Sequence, residues 1–217
     1  MPSENPARLI VFGAGGHGRV VADAARAAGF SVLGFLDDAP HLAGTERDGL
    51  RIFGGFAWLA DKAGLGVALG VGANAAREVV ATRVRAAGLQ LVSIVHPSAV
   101  VSPYAGLAEG SVVLAAAVVN TGARIGIGAI VNSGAVVEHD ATVGDFAHVS
   151  PNATLSGAAA AGARSHVGAA ACILPERVLG ERSILGAGGV LVTDVPARSV
   201  AVGVPARVVR AVSEFGS

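Results

Sequence analysis

Residues 100–195 read, in sixes, VVSPYA GLAEGS VVLAAA VVNTGA RIGIGA IVNSGA VVEHDA TVGDFA HVSPNA TLSGAA AAGARS HVGAAA CILPER VLGERS ILGAGG VLVTDV. The second place of each six is Val101, Leu107, Val113, Val119, Ile125, Val131, Val137, Val143, Val149, Leu155, Ala161, Val167, Ile173, Leu179, Leu185 and Leu191, all apolar and only Ala161 small. The sixth place is Ala, Ser or Gly except at Arg177 and Val195. An α-helix cannot keep one apolar residue in every six, because its period is 3.6. A strict six-residue repeat instead predicts a parallel β-helix. Each six supplies a short strand and a corner, and three sixes close a triangular coil. The apolar second residue points into the prism, and the small sixth residue is expected to fit the tight corner. Residues 100–195 then make about five coils.

The rest of the composition agrees. Hydrophobic residues are 52% of the 217, yet aromatics are only 4%, so Ala, Val, Leu and Ile must fill the interior. Sixteen basic residues balance sixteen acidic ones, which gives no basis for a nucleic-acid or membrane-surface partner. The single cysteine, Cys172, excludes an internal disulfide and fits a cytoplasmic setting. The opening MPSENPARLIVFG lacks a basic region followed by a long apolar one, so no signal peptide is expected.

Before the repeats the grammar changes. Residues 8–12 (RLIVF) predict a buried strand, followed by Gly13-Ala14-Gly15-Gly16-His17-Gly18 and a helix over 19–28. A second strand over 31–36 ends at Asp37-Asp38. A third, over 66–71, enters Gly72-Ala73-Asn74, then a helix over 75–87 and a strand over 89–95. Strand, glycine turn, helix, strand is the pattern of a small Rossmann-like parallel α/β domain. The expected division is therefore 1–95 for the α/β domain and 96–217 for the β-helix, whose open end the segment after Pro196 caps.

Gly13, Gly15 and Gly18 match the dinucleotide fingerprint, with Asp37 at a distance suited to a ribose. A glycine turn running into a helix N-terminus brings N–H groups to a phosphate, which serves any nucleotide diphosphate. A domain of this size has room for half a dinucleotide site, which favours a nucleotide sugar over a nicotinamide cofactor or a purely structural turn. His17 is either a phosphate or sugar contact or a turn residue.

Among the repeats, His139 stands in the fourth place of its six, between Glu138 and Asp140. His148 and His166 both stand in first places, eighteen residues apart, so they are expected to stack on one face in successive coils. Taken in order, residues 13–18 (GAGGHG), 35–38 (FLDD), 132–140 (NSGAVVEHD), 184–189 (ILGAGG) and 203–206 (GVPA) resemble the sialic-acid O-acetyltransferase/bacillosamine N-acetyltransferase family of hexapeptide-repeat acyltransferases. The resemblance implies that the β-helix is left-handed and that acetyl-CoA donates the acetyl group. It also implies a homotrimer with the coenzyme between adjacent β-helices. By the same resemblance, His139 corresponds to the general base and Asp140 to the carboxylate that supports it. Gly15, Gly16, His17, Asp37, Asp38 and Gly72 correspond to the nucleotide-sugar site. His148 corresponds to a histidine near the acetyl group, and Ala169 and Ala187 to backbone lining the coenzyme channel.

The chemistry fits. An ammonium cannot attack a thioester until it loses a proton, and imidazole is suited to take it near neutrality. The expected activity is N-acetylation of a nucleotide-linked amino-deoxysugar, with C4 as the position the resemblance implies. The rivals are O-acetylation of a free sugar such as sialic acid, and a non-catalytic sensor of nucleotide sugar or coenzyme. Cys172 has no neighbouring His in sequence to make it a nucleophile, and no metal is expected because the close histidine pair of a β-helical zinc enzyme is missing. Arg77, Arg83 and Arg85 are expected to form a solvated helix face.

Overall fold

The computed structural model describes residues 8–212. The first unit is a four-stranded parallel sheet in the order β2-β1-β5-β6. Its strands are β1 (Arg8–Phe12), β2 (Ser31–Leu36), β5 (Gly66–Leu69) and β6 (Gln90–Leu91). Between β2 and β5 lies a short antiparallel hairpin, β3 (Glu46–Arg47) and β4 (Leu50–Arg51). Helix α1 (Gly16–Ala27) joins β1 to β2, and α2 (Asn74–Ala86) joins β5 to β6. The chain leaves β1 in one direction across the sheet and β5 in the other. The crevice at their C-terminal ends is therefore the switch point where α/β sheets bind ligands.

Two sequence expectations shift here. Helix α1 starts at Gly16, not at residue 19, so His17 and Gly18 lie in its first turn. The strand expected over 89–95 is two: Gln90–Leu91 closes the small sheet, whereas Ile94–Val95 pairs with Val112–Val113 as the first rung of the β-helix.

The repeats form three parallel sheets whose strands recur every eighteen residues. The first face carries Ile94–Val95, Val112–Val113, Ile130–Val131, His148–Val149, His166–Val167 and Ile184–Leu185. The second carries the strands that begin at Val100, Val118, Val136, Thr154, Cys172 and Val190. The third carries those that begin at Gly106, Arg124, Thr142, Ala160 and Val178. Second-place side chains from Val113 to Leu191 fill the prism at 2% exposure or less. Each Val, Leu or Ile so buried contributes about 1.5–3 kcal/mol.

The sixth place is small for a different reason from the one expected. Ala117, Ala123, Ala129, Ala135, Ala141, Ala147, Ala153 and Ala159 are fully buried in the same core, so the sixth residue packs inward. The bend itself falls on the fourth and fifth places, and the fifth takes the left-handed conformation, as at Asp140 (φ 61°) and Asn152 (φ 58°). Asp and Asn tolerate that conformation better than most residues. At the far end, the strand Ser199–Val202 continues the first face and the strand Arg207–Ala211 folds back on it antiparallel, closing the solenoid.

The small sheet docks on one vertical edge of the prism, the column of fifth places 110, 128, 146 and 164. Leu69 and Leu91 lie against Gly110, and Phe146 packs into the cluster formed by Ile10, Phe12, Leu69 and Val84. Glu78 of α2 pairs with Arg164, and Asn74 donates to the Ser165 carbonyl at 2.9 Å.

Candidate active site

The crevice begins at the glycines. A Cβ on Gly18 would fall on the Gly13 carbonyl, and one on Gly13 would lie 2.7 Å from the Gly70 carbonyl. These glycines let α1, β1 and the end of β5 approach closely. Gly15 and Gly16 are exposed, with open space where a Cβ would stand. Helix α1 has no side-chain cap and no acidic residue in its first turn, so its free N–H groups face that space. Asp37 braces the turn: its carboxylate accepts from the Ala14 N–H at 3.0 Å and the Ala39 N–H at 2.9 Å. Asp38 accepts from Arg83 and from the Phe56 N–H at 3.0 Å, and the Arg83 contact foremost holds its carboxyl below the usual range.

Arg77 corrects the expectation of a solvated face. Its side chain is fully buried. It donates to the carbonyls of Gly128 at 2.7 Å, Phe146 at 2.7 Å, Gly72 at 2.8 Å and Val71 at 3.0 Å, and to Asn74 Oδ1 at 2.9 Å. One guanidinium thus ties the crevice loop to two corners of the β-helix. Burial presses its pKa down to about 9. Arg83 and Arg85 are partly exposed and ion-paired, Arg83 with Asp38 while stacked 4.3 Å over Phe56, and Arg85 with Glu109.

Beside Arg77 runs a histidine ladder. His148 and His166 are paired neighbours on the first face, their ring centroids 4.9 Å apart, and His17 reaches over from α1 to 6.1 Å from His148. Asn132 Nδ2 lies 3.0 Å from His148 Nε2, and Ser150 Oγ lies 3.0 Å from His166 Nε2. Burial first, and the charge of Arg77 second, lower His17 to about 4. Burial, then the neighbouring positive charges, lower His148 to about 3. The ladder is neutral at physiological pH.

His139 and Asp140 stand on the corner between the second and third faces, with side chains 60% and 68% exposed. Asp140 Oδ2 lies 3.0 Å from His139 Nδ1, which leaves Nε2 as the nitrogen free to take a proton. Glu138 is occupied by Asn120, whose amide donates to it at 2.9 Å.

Residues 8–84 match the PglD N-terminal domain family. The chain is 36% identical to PerB from Caulobacter crescentus, solved with CoA and GDP-perosamine, over 94% of this chain and 98% of that one, at a TM-score of 0.89. It is also 36% identical to the acetyltransferase domain of PglB from Neisseria gonorrhoeae, solved with acetyl coenzyme A, over 94% of this chain and 100% of that one, at a TM-score of 0.88. The chain belongs to the hexapeptide-repeat sugar acetyltransferase family. WeeI from Acinetobacter baumannii, at 24% identity and a TM-score of 0.82 over 94% of this chain and 100% of that one, shares the fold. Comparison with curated protein sequences finds no match.

The acetyltransferase fold is a small α/β domain followed by a left-handed β-helix, as the repeat and the resemblance implied. Within one chain the structure brings Gly15, Gly16, His17, Asp37, Asp38 and Gly72 to one crevice, with Gly72 against the His17 side chain. His148 joins that group through His17. His139 and Asp140 do not, for they occupy the corner facing away from the first face. Ala169 and Ala187 are exposed and stacked, the Gly188 N–H donating to the Ala169 carbonyl at 2.8 Å, on the corner between the first and second faces. Cys172 lies half-buried in its strand between Thr154 and Val190.

Sequence reasoning missed Arg77 and Asn132 as site residues. Phe146, the only Phe in residues 100–195, was the available signal for where the α/β domain docks. Among the described residues no cluster of potential metal ligands occurs. No described helix is long and apolar enough to cross a membrane.

Proposed function

We propose that this protein transfers the acetyl group of acetyl-CoA to the amino group, at C4, of a nucleotide-linked amino-deoxysugar in the cytoplasm. The observation that carries the reading is the His139–Asp140 pair, exposed on a β-helix corner with Nε2 unengaged. The open first turn of α1 supplies N–H donors for a diphosphate, and the relative PerB was solved with a nucleotide amino sugar and CoA. His139 Nε2 takes the ammonium proton, and the amine nitrogen attacks the thioester carbonyl. The nitrogen of the tetrahedral intermediate releases its second proton to solvent, the C–S bond breaks, and the thiolate leaves as CoA thiol with the proton that His139 returns. Asp140 holds the imidazole in the tautomer that exposes Nε2. No acyl-enzyme is formed.

The proposed assembly is a homotrimer, and the same geometry supports sites shared between chains. The crevice lies over the first face and the dyad on the opposite corner, so a complete site joins the dyad of one chain to the crevice of another. Thiol release from acetyl-CoA with a panel of GDP-, UDP- and dTDP-linked 4-amino-deoxysugars tests the activity. Turnover with one of them is expected; turnover only with free sialic acid overturns it. Mixed assemblies of a His139→Ala chain and a Gly15→Trp chain test the trimer. Neither variant turns over alone, and the mixture regains activity if sites are shared.

A further inference from the structure

The dyad sits in a corner that a neighbouring coil leaves empty. Gly157 follows His139 by eighteen residues and lies directly above it, the Ala158 N–H donating to the His139 carbonyl at 2.9 Å. A Cβ built on Gly157 would lie 2.5 Å from His139 Nε2, 2.6 Å from Cε1 and 3.4 Å from Cδ2, and its three nearest atoms all belong to that ring. The backbone gives no reason for glycine here, since Gly157 is outside the left-handed region. The same column holds Thr121, His139 and Pro175, so the corner itself accepts side chains. Beneath the dyad, a Cβ on Gly122 would run into Asp140 Oδ1, although the left-handed φ of 71° there also calls for glycine.

We propose that Gly157 is a positioning residue for the reaction: its absent side chain is the space in which the His139 imidazole lies and into which Nε2 opens. This inference rests on reading His139 as the base. With Nδ1 engaged by Asp140, Nε2 is the proton acceptor, and it faces the Gly157 corner. A methyl group there has two ways to act. It swings the ring out, which breaks the 3.0 Å contact with Asp140, or it stands in front of Nε2 and keeps the ammonium away. The ring is 60% exposed and free to swing, so the fold gives way easily while the chemistry does not.

The test is Gly157→Ala in the full-length protein, followed by thiol release and thermal unfolding. Turnover is expected to fall roughly 10- to 100-fold, the scale of an ångström misplacement, with both KM values and the unfolding midpoint held. Gly106→Ala, where φ is not positive and nothing lies near an added Cβ, is expected to match wild type. The double variant Gly157→Ala/His139→Ala is expected to be no slower than His139→Ala, because the ring through which Gly157 acts is gone. Wild-type kcat in Gly157→Ala overturns the proposal. So does a rise in KM for acetyl-CoA at unchanged kcat, or a further loss in the double variant. If His139→Ala itself turns over normally, the base assignment falls instead.

Discussion

Replacing Arg77 by Met keeps much of the side-chain volume and removes every donor. The buried carbonyls of Gly128 and Phe146 receive no main-chain N–H and, with the buried Asn74 Oδ1, depend on this guanidinium, whereas the Val71 and Gly72 carbonyls are half-buried at the crevice. An orphaned buried acceptor costs about 1–3 kcal/mol, so these three cost about 3–9 kcal/mol. Against this stands the cost of burying the cation. The fall of its pKa to about 9 corresponds to a burial cost of roughly 5 kcal/mol, which the variant no longer bears. The centre of the range leaves a net loss of about 1 kcal/mol, or about 2–4 °C in unfolding midpoint for a chain of this length. Arg77→Lys keeps the charge and three donors and is expected to fall between the two. Differential scanning calorimetry reads the midpoint. Steady-state kinetics is expected to show a rise in KM for the nucleotide sugar larger than that for acetyl-CoA, since Gly72 belongs to the crevice. A midpoint for Arg77→Met equal to or above that of wild type would refute the reasoning.

Other perturbations have expected outcomes of their own. His139→Ala is expected to lose about 10²–10⁴ in kcat with its unfolding midpoint intact, and a loss of under about tenfold counts against a proton-transfer role. Asp140→Asn keeps one acceptor oxygen but removes the negative charge that stabilises the imidazolium, and it is expected to lower kcat at little cost in KM, which initial-rate measurements separate. Stability is expected to fall as pH drops from about 6.5 toward 4. His17 and His148 resist protonation in the folded state, at about 4 and about 3, while the unfolded chain protonates them near 6.5. Each contributes stability that is complete above pH 6.5 and is lost at about 1.4 kcal/mol per pH unit below it. Unfolding midpoints that stay level between pH 7 and 5 would contradict this. Asp37→Asn is expected to cost about 1 kcal/mol, because the amide oxygen replaces only one of two acceptors for Ala14 and Ala39; urea denaturation measures it.

The solenoid was legible because each coil repeats the same demand: Val137 must point inward for the same reason as Val119 and Leu155. The α/β unit was legible in type and blurred at its ends. Gly16 to Gly18 read as a turn because glycine disfavours helix, yet close packing of Gly18 on Gly13 draws them into α1. Arg77 was illegible for a deeper reason. Nothing in the pattern of α2 says that its face meets the corners at Gly128 and Phe146, and those corners lie more than fifty residues further on. His139 and Asp140 stood out because the repeat made every departure from Ala, Val and Gly visible. Their separation from the crevice was not visible until the faces were assigned.

The eighteen-residue period also makes this protein tolerant of some changes in length and intolerant of others. Removing a whole coil lowers the prism by one storey and leaves every later residue on its own face, as strand 148 shows by pairing with both 130 and 166. Removing a single six, such as 142–147, turns everything above it by a third of a revolution. His148 would then leave the wall beneath His17, and each later corner would arrive at an edge built for another. Among length variants of this chain, survivors should therefore differ by multiples of eighteen.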